Sequence, residues 1–293
     1  MSLTTHFYQG EKKSMKHHLV IAAVLILAAA NLPVYAFDLN INKIIGTVKN
    51  LRGATTEVDE KQEINIGQGI AANLLGAAKL VDDEHLQKYV NAVGRWLAVQ
   101  TERPDLPWQF GVLESDNLNA FAAPGGYIFI TKGLLQHMKS EAELAGVLAH
   151  EISHVLKKHH LAAIQKNAWT GLAGELVNEG LKGRGNTEVL NKAVSFGTEI
   201  YARGLDKDDE FEADRMGVVI AARAGYDSYG LATVLQTLQA MSPQDSNLAL
   251  MFKTHPSPDE RLETLEKIMP ESMDKYALQP QLSDRFLKIA QSK

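Results

Sequence analysis

The chain has 293 residues, 45% of them hydrophobic, with 30 basic and 35 acidic side chains and a formal net charge of −5. Such a composition suits a globular protein of one large or two small domains. The acidic balance, with no basic stripe, argues against nucleic acid as a partner, and the lack of cysteine excludes disulfides and a lipid-anchoring thiol.

The first 36 residues stand apart. Lys12, Lys13 and Lys16 precede an apolar run from Leu19 to Ala30, and Val34-Tyr35-Ala36 carries small residues at positions −3 and −1. This three-part pattern predicts a secretory signal peptide over 1–36, cleaved after Ala36, with Met15 an alternative start. A retained anchor is the competing reading, but the apolar run falls short of the roughly 20 residues that span a bilayer. No later segment is long and apolar enough to span, so the mature protein is expected in the bacterial periplasm. Residues 37–59 read as a loosely ordered lead-in, and 60–293 as the folded domain.

Apolar residues at helical spacing follow: Ile64, Ile70, Leu74 and Leu75, then Leu86, Val90, Val93 and Leu97. They predict two helices joined near Val81-Asp82-Asp83. Glu102 to Pro107 breaks the pattern, and Trp108, Phe110 and Val112 alternate as in a strand. Two short extended runs then flank Pro124-Gly125-Gly126, which predicts a hairpin. Its first arm, Asn119, Ala120, Phe121 and Ala122, is a candidate edge strand for pairing with a substrate peptide. Another helix is expected to begin near Gly133.

Ser140 to His160 reads as a single helix. Ser140 and Glu143 have the form of a capping box, and Lys157, Lys158, His159 and His160 form a cationic end. Within it lie His150, Glu151 and His154. Imidazoles at i and i+4 are separated by about 40° around the axis, so both can reach one metal ion. Glu151 lies about 60° to the side of His154, placed to touch an attacking water without ligating the metal. This H-E-x-x-H arrangement is that of zinc metallopeptidases, with the glutamate as general base.

A catalytic zinc takes three protein ligands and leaves one position open. His160 has the spacing of a third histidine, but Lys157 stands where that pattern needs glycine. If the helix continues, His160 is about 80° around and some 15 Å along from His150 and cannot share the ion. The other candidate is Asp209 to Arg215, where Glu210 and Asp214 fall on one helix face. Glu210 would ligate the metal and Asp214 would accept the second N–H of a ligand histidine. A solvated acidic helix start is the alternative. Leu161 to Leu205 reads as packed helices or a lid, interrupted at Lys182-Gly183-Arg184-Gly185-Asn186.

Four motifs occur in order: N-A-F-A-A-P-G-G from Asn119, H-E-I-S-H from His150, E-F-E-A-D from Glu210, and T-H-P-S-P-D-E-R from Thr254. Together they resemble the HtpX-like and CAAX-prenyl-protease-like gluzincins, metallopeptidase family forty-eight, over about residues 60–270. The BepA-like periplasmic branch is the most similar, although no helical-repeat region is expected within these 293 residues. The resemblance implies an α+β, mainly α fold: a zincin-type core with a small, mostly antiparallel sheet packed on the H-E-x-x-H helix. It also implies one zinc per chain bound by His150, His154 and Glu210, with Glu151 as catalytic base and Asp214 behind the ligands. His255 is implied near the metal, as a fourth ligand that blocks the site or as a catalytic group that steadies the reacting carbonyl. Arg261 would clamp that loop, face substrate or lie on the surface. The expected function is a zinc endopeptidase acting on protein or peptide substrates, in quality control of misfolded or outer-membrane proteins. The alternative is a zinc-stabilised chaperone or assembly factor with weak or no proteolysis.

Overall fold

The computed structural model describes residues 59–169, 204–242, 244–269 and 271–290. The signal segment, nearly all of the lead-in, and residues 170–203 of the candidate lid over 161–205 lie outside the described residues.

Helix α1 (Glu60–Ala77) starts at a complete capping box, with Asp59 accepting from the Gln62 amide and Gln62 reaching back. Helix α2 (Glu84–Ala98) is capped by Asp83 and buries Leu86, Val90, Val93 and Leu97 on one face. Strands β1 (Gln109–Leu113), β2 (Ala120–Ala123) and β3 (Tyr127–Thr131) form a sheet in the order β1-β3-β2. The β2–β3 pair is the antiparallel hairpin the sequence predicts. Its turn uses Gly125 and Gly126 at φ 75° and 100°, where a side chain would be strained. β1 pairs with β3 in parallel, so the sheet is mixed rather than mostly antiparallel. The chain leaving β1 passes over to the far side of β3 before turning back, and this makes β1 and β3 run the same way.

A short α3 (Lys132–Gln136), capped by Thr131, leads to α4 (Glu141–Leu156). Every residue of α4 is buried. It is therefore a central helix wrapped on all sides, not an amphipathic surface helix. α5 (His159–Trp169) follows, then α6 (Lys207–Arg223), α7 (Gly230–Gln239), α8 (Met251–Thr254), α9 (Pro258–Ile268) and α10 (Ser283–Ala290). α6 packs most extensively on α4, and α7, α2 and β2 cover its other sides. Leu144, Leu148 and Ile152 are wholly enclosed; each such side chain stabilises the fold by about 1.5–3 kcal/mol.

Both ends of α4 are tied down. Ser140 accepts from the Glu143 amide, while the Glu143 carboxylate accepts from Lys139 N–H at 2.9 Å, one residue outside a standard box. Buried Glu141 accepts from Tyr89 and Tyr226, each at 2.7 Å, and pairs with Arg285 of α10. At the other end the expected helix to His160 stops at Leu156, because Lys158 adopts φ 57°. That left-handed residue swings the chain back against α4. Among the described residues no helix is long and apolar enough to cross a membrane.

Candidate metal centre

His150 Nε2, His154 Nε2 and the Glu210 carboxylate converge between α4 and α6. The two Nε2 atoms are 3.1 Å apart, His150 Nε2 is 3.6 Å from Glu210 Oε2, and His154 Nε2 is 3.5 Å from Glu210 Oε1. An ion in tetrahedral coordination, with bonds of about 2.0–2.1 Å, holds its ligand atoms about 3.3 Å apart. Glu210 Oε1 is buried with no hydrogen-bond partner. A carboxylate with one orphaned oxygen, set against two imidazole nitrogens, fits a divalent cation, and the donor set of two nitrogens and an oxygen is suited to zinc. Among the described residues this is the only group of three or more His, Cys, Asp or Glu side chains so arranged.

The surroundings orient these groups. His150 Nδ1 lies 2.8 Å from Asp214 Oδ1. Its Nδ1–H therefore donates to the carboxylate, and the Nε2 lone pair points at the cluster. Asp214 also accepts from Arg261 Nε at 2.9 Å and Nη2 at 2.5 Å. Burial alone would raise the Asp214 pKa, but Arg261 and His150 hold it well below the usual carboxylate range. Arg261 is itself buried rather than on the surface; it joins α9 to α6 and α4 through Asp214 and His150 and lines the cavity beside them.

His255 lies just past α8, with Nδ1 2.6 Å from Glu210 Oε2 and its ring centroid 5.7 Å from that of His150. Burial pushes its pKa down, but the Glu210 charge and the hydrogen bond outweigh this and raise it. Glu210 is pulled the other way. Burial would raise it, yet His255, His150 and Arg261 bring it down to about 2. Glu151 is buried one step from His150, and desolvation raises its pKa against the opposing pull of His150 and His255.

A small, partly open cavity lies beside these groups. Asn119, Glu151 and His255 line its polar side, and Leu134, Val147 and Leu235 its apolar side. Asn119 immediately precedes β2, and Ala120, Phe121 and Ala122 lie in it, at the outer position of the described sheet. The Asn119 Nδ2 is buried without a partner, while its Oδ1 accepts from the Ala120 amide.

The cationic helix end expected at His159 and His160 is not present. His159 is buried, with Nδ1 3.0 Å from His154 Nδ1 and Nε2 3.2 Å from Glu212 Oε2. The His160 ring centroid is 5.3 Å from that of His154, and desolvation there holds its pKa down to about 3. His159 and Glu212 were not singled out from sequence as supports of the site. The signal for them is the turn at Lys158, which no glycine marks.

The model of peptidase family M48 matches residues 84–269, a span that contains every residue of this cluster. The chain is 31% identical over 216 residues to a beta-barrel assembly-enhancing protease of Yersinia pestis, covering 72% of this chain and 44% of that protein. It is 30% identical over 207 residues to the protein of that name in Escherichia coli K12, covering 69% and 42% respectively. To the mitochondrial metalloendopeptidase OMA1 of Arabidopsis thaliana it is 28% identical over 201 residues, 68% of this chain and 39% of the relative. The chain thus spans less than half the length of these curated relatives. With the family model matched over more than half of the chain, the protein belongs to peptidase family M48.

Proposed function

We propose that the protein is a zinc-dependent endopeptidase with one zinc held by His150, His154 and Glu210. The observation that carries this is the convergence of two imidazole nitrogens and a carboxylate within 4.8 Å of one another, with one oxygen of that carboxylate buried and without a hydrogen-bond partner. Bound zinc would polarise the scissile carbonyl and acidify a water beside it. Glu151 takes a proton from that water as its oxygen bonds to the carbonyl carbon, then delivers the proton to the leaving amine as the C–N bond breaks. Burial raises the Glu151 pKa toward the range useful for proton transfer near neutral pH. Asp214, fixed by Arg261, keeps the lone pair of His150 on the metal side. The unpartnered Asn119 Nδ2 offers a donor to a peptide carbonyl at the cavity, with β2 alongside as the substrate-pairing strand.

The peptidase unit is residues 60–293, exported to the periplasm by a signal over 1–36 and joined through the lead-in 37–59. Its proposed substrates are unfolded or outer-membrane proteins, with quality control of the envelope as the role. The names of the beta-barrel assembly-enhancing relatives and the signal-like N-terminus support this. His255, bonded to a ligand carboxylate, is proposed to govern access to the metal.

The test is zinc content and proteolysis of an unfolded outer-membrane protein by wild type and Glu151→Gln. Wild type should hold close to one zinc and cleave, and Glu151→Gln should keep zinc and lose cleavage. Equal cleavage by both would remove Glu151 as the base. A zinc-loaded wild type that prevents aggregation without cleaving would favour the chaperone reading.

A further inference from the structure

His150 and His154 are supported differently. His150 rests directly on a carboxylate, Asp214, at 2.8 Å. His154 has no carboxylate on its far nitrogen. Its Nδ1 faces the Nδ1 of His159 at 3.0 Å, and His159 Nε2 faces Glu212 Oε2 at 3.2 Å. Glu212 is in turn held by Lys157, whose Nζ is 2.7 Å from Oε1. The left-handed Lys158 between Lys157 and His159 is what turns the second imidazole back onto the first.

We infer that His159 is a positioning residue that fixes the tautomer and orientation of His154, with Glu212 as the anchor behind it. The inference rests on the zinc site proposed above. If His154 Nε2 is to offer a lone pair to a metal, its hydrogen must sit on Nδ1. That hydrogen then donates to His159 Nδ1, which must be an acceptor. The hydrogen of His159 is therefore on Nε2, where a carboxylate waits. The direction of donation runs from the metal side outward to Glu212, the nearer of two carboxylates at His159 Nε2, with Asp209 Oδ1 at 3.6 Å the farther. Reversing it would put a hydrogen on His154 Nε2 and close that nitrogen to the ion. The two metal-binding histidines are thus held by two carboxylates of one helix: Asp214 directly, and Glu212 through an inserted imidazole. Substituting groups that orient a ligand histidine typically weakens metal binding by about 10–100-fold.

Zinc affinity of the full-length protein, measured by chelator competition, tests this without reference to activity. His159→Leu removes the acceptor and should weaken binding by about 10–100-fold. His159→Asn places an oxygen near the position of Nδ1 and should stay within about threefold of wild type. Glu212→Ala, at a partly exposed position, should also weaken binding. Adding it to His159→Leu should cause no further loss, because the chain is already cut. Wild-type affinity in His159→Leu, or equal losses in the Asn and Leu variants, would overturn the proposal. If His159→Leu does not fold, Glu212→Ala decides, and unchanged affinity there overturns it equally. A wild type that takes up no zinc refutes the metallopeptidase site itself. Zinc binding that these variants leave intact refutes only the role of His159.

Discussion

Replacing Asp214 by Leu, alone and together with Arg261→Met, separates what holds the fold from what orients the metal. Asp214 is 1% exposed and Arg261 6%, and they share two hydrogen bonds, with His150 on the same carboxylate. Asp214→Leu leaves a guanidinium buried without its counter-charge, a loss of about 3–5 kcal/mol. In a domain of this size that lowers the melting temperature by about 10 °C. Asp214→Leu/Arg261→Met exchanges the pair for apolar side chains and should recover most of that stability. Zinc affinity should not recover, because His150 Nδ1 still lacks its acceptor, and a deficit of about 10–100-fold is expected in both variants. Acid response gives a second readout. The folded pKa of Asp214 lies below its unfolded value, so its contribution is complete above about pH 4 and is lost as pH falls through the lower folded value. The double variant should lack that step. Circular dichroism melting of the apo proteins and chelator titration provide the data. An apo melting temperature within a few degrees of wild type for Asp214→Leu, or full zinc affinity in the double variant, would refute the argument.

Gly230→Ala should destabilise by at least about 1–3 kcal/mol, since a Cβ there would lie 2.1 Å from the Ala142 carbonyl oxygen and force α7 off α4; an unchanged melting curve would contradict the observed crossing. Phe286 is wholly buried, so Phe286→Ala should cost about 3–5 kcal/mol and release α10, seen as faster amide exchange over 283–290. His255→Ala should keep zinc and raise basal peptide turnover if His255 blocks the site. A fall of about 100-fold would assign it to the transition state instead, and an unchanged rate would remove it from both roles. The exported protein should begin at Phe37 by intact mass, and retention of residues 19–36 in a membrane fraction would establish an anchor.

Much of the site was legible because local rules decide it. The i, i+4 histidines, the Ser140 cap and the Pro124-Gly125-Gly126 turn each follow from spacing within a few residues. What escaped depends on contacts distant in sequence or on unusual backbone. The stop of α4 at Leu156 hangs on Lys158 at φ 57°, a conformation normally marked by glycine. With the helix run on to His160, both trailing histidines pointed to solvent, whereas the turn packs them on His154. Parallel pairing of β1 with β3 is set by the path between strands, which periodicity does not encode. Arg261, 47 residues from Asp214, keeps its roles of clamp, substrate contact or surface residue open until α9 is laid against α6. α10 is only two turns long, yet Phe286 and Arg285 fasten it to the core and to Glu141.

The same long-range logic explains why the acidic start of α6 is misleading. Glu210, Asp214 and Gly217 recur at i, i+4 and i+7, the stripe a helix normally fills with apolar residues where it meets the core. Here that stripe faces α4, every residue of which is buried. At Gly217 the helices come so close that a Cβ would lie 2.9 Å from the His150 amide nitrogen. Two carboxylates at such an interface are costly unless each is paired. Asp214 is paired by Arg261 and His150; Glu210 has a hydrogen bond with His255 on one oxygen and no hydrogen bond on the other. The fold therefore holds one unmet electrostatic demand at the α4–α6 contact, and a divalent cation between His150 and His154 would meet it. Stability and metal binding are linked through that oxygen: an ion that binds only the folded state adds about 1.4 kcal/mol for each tenfold excess over its dissociation constant.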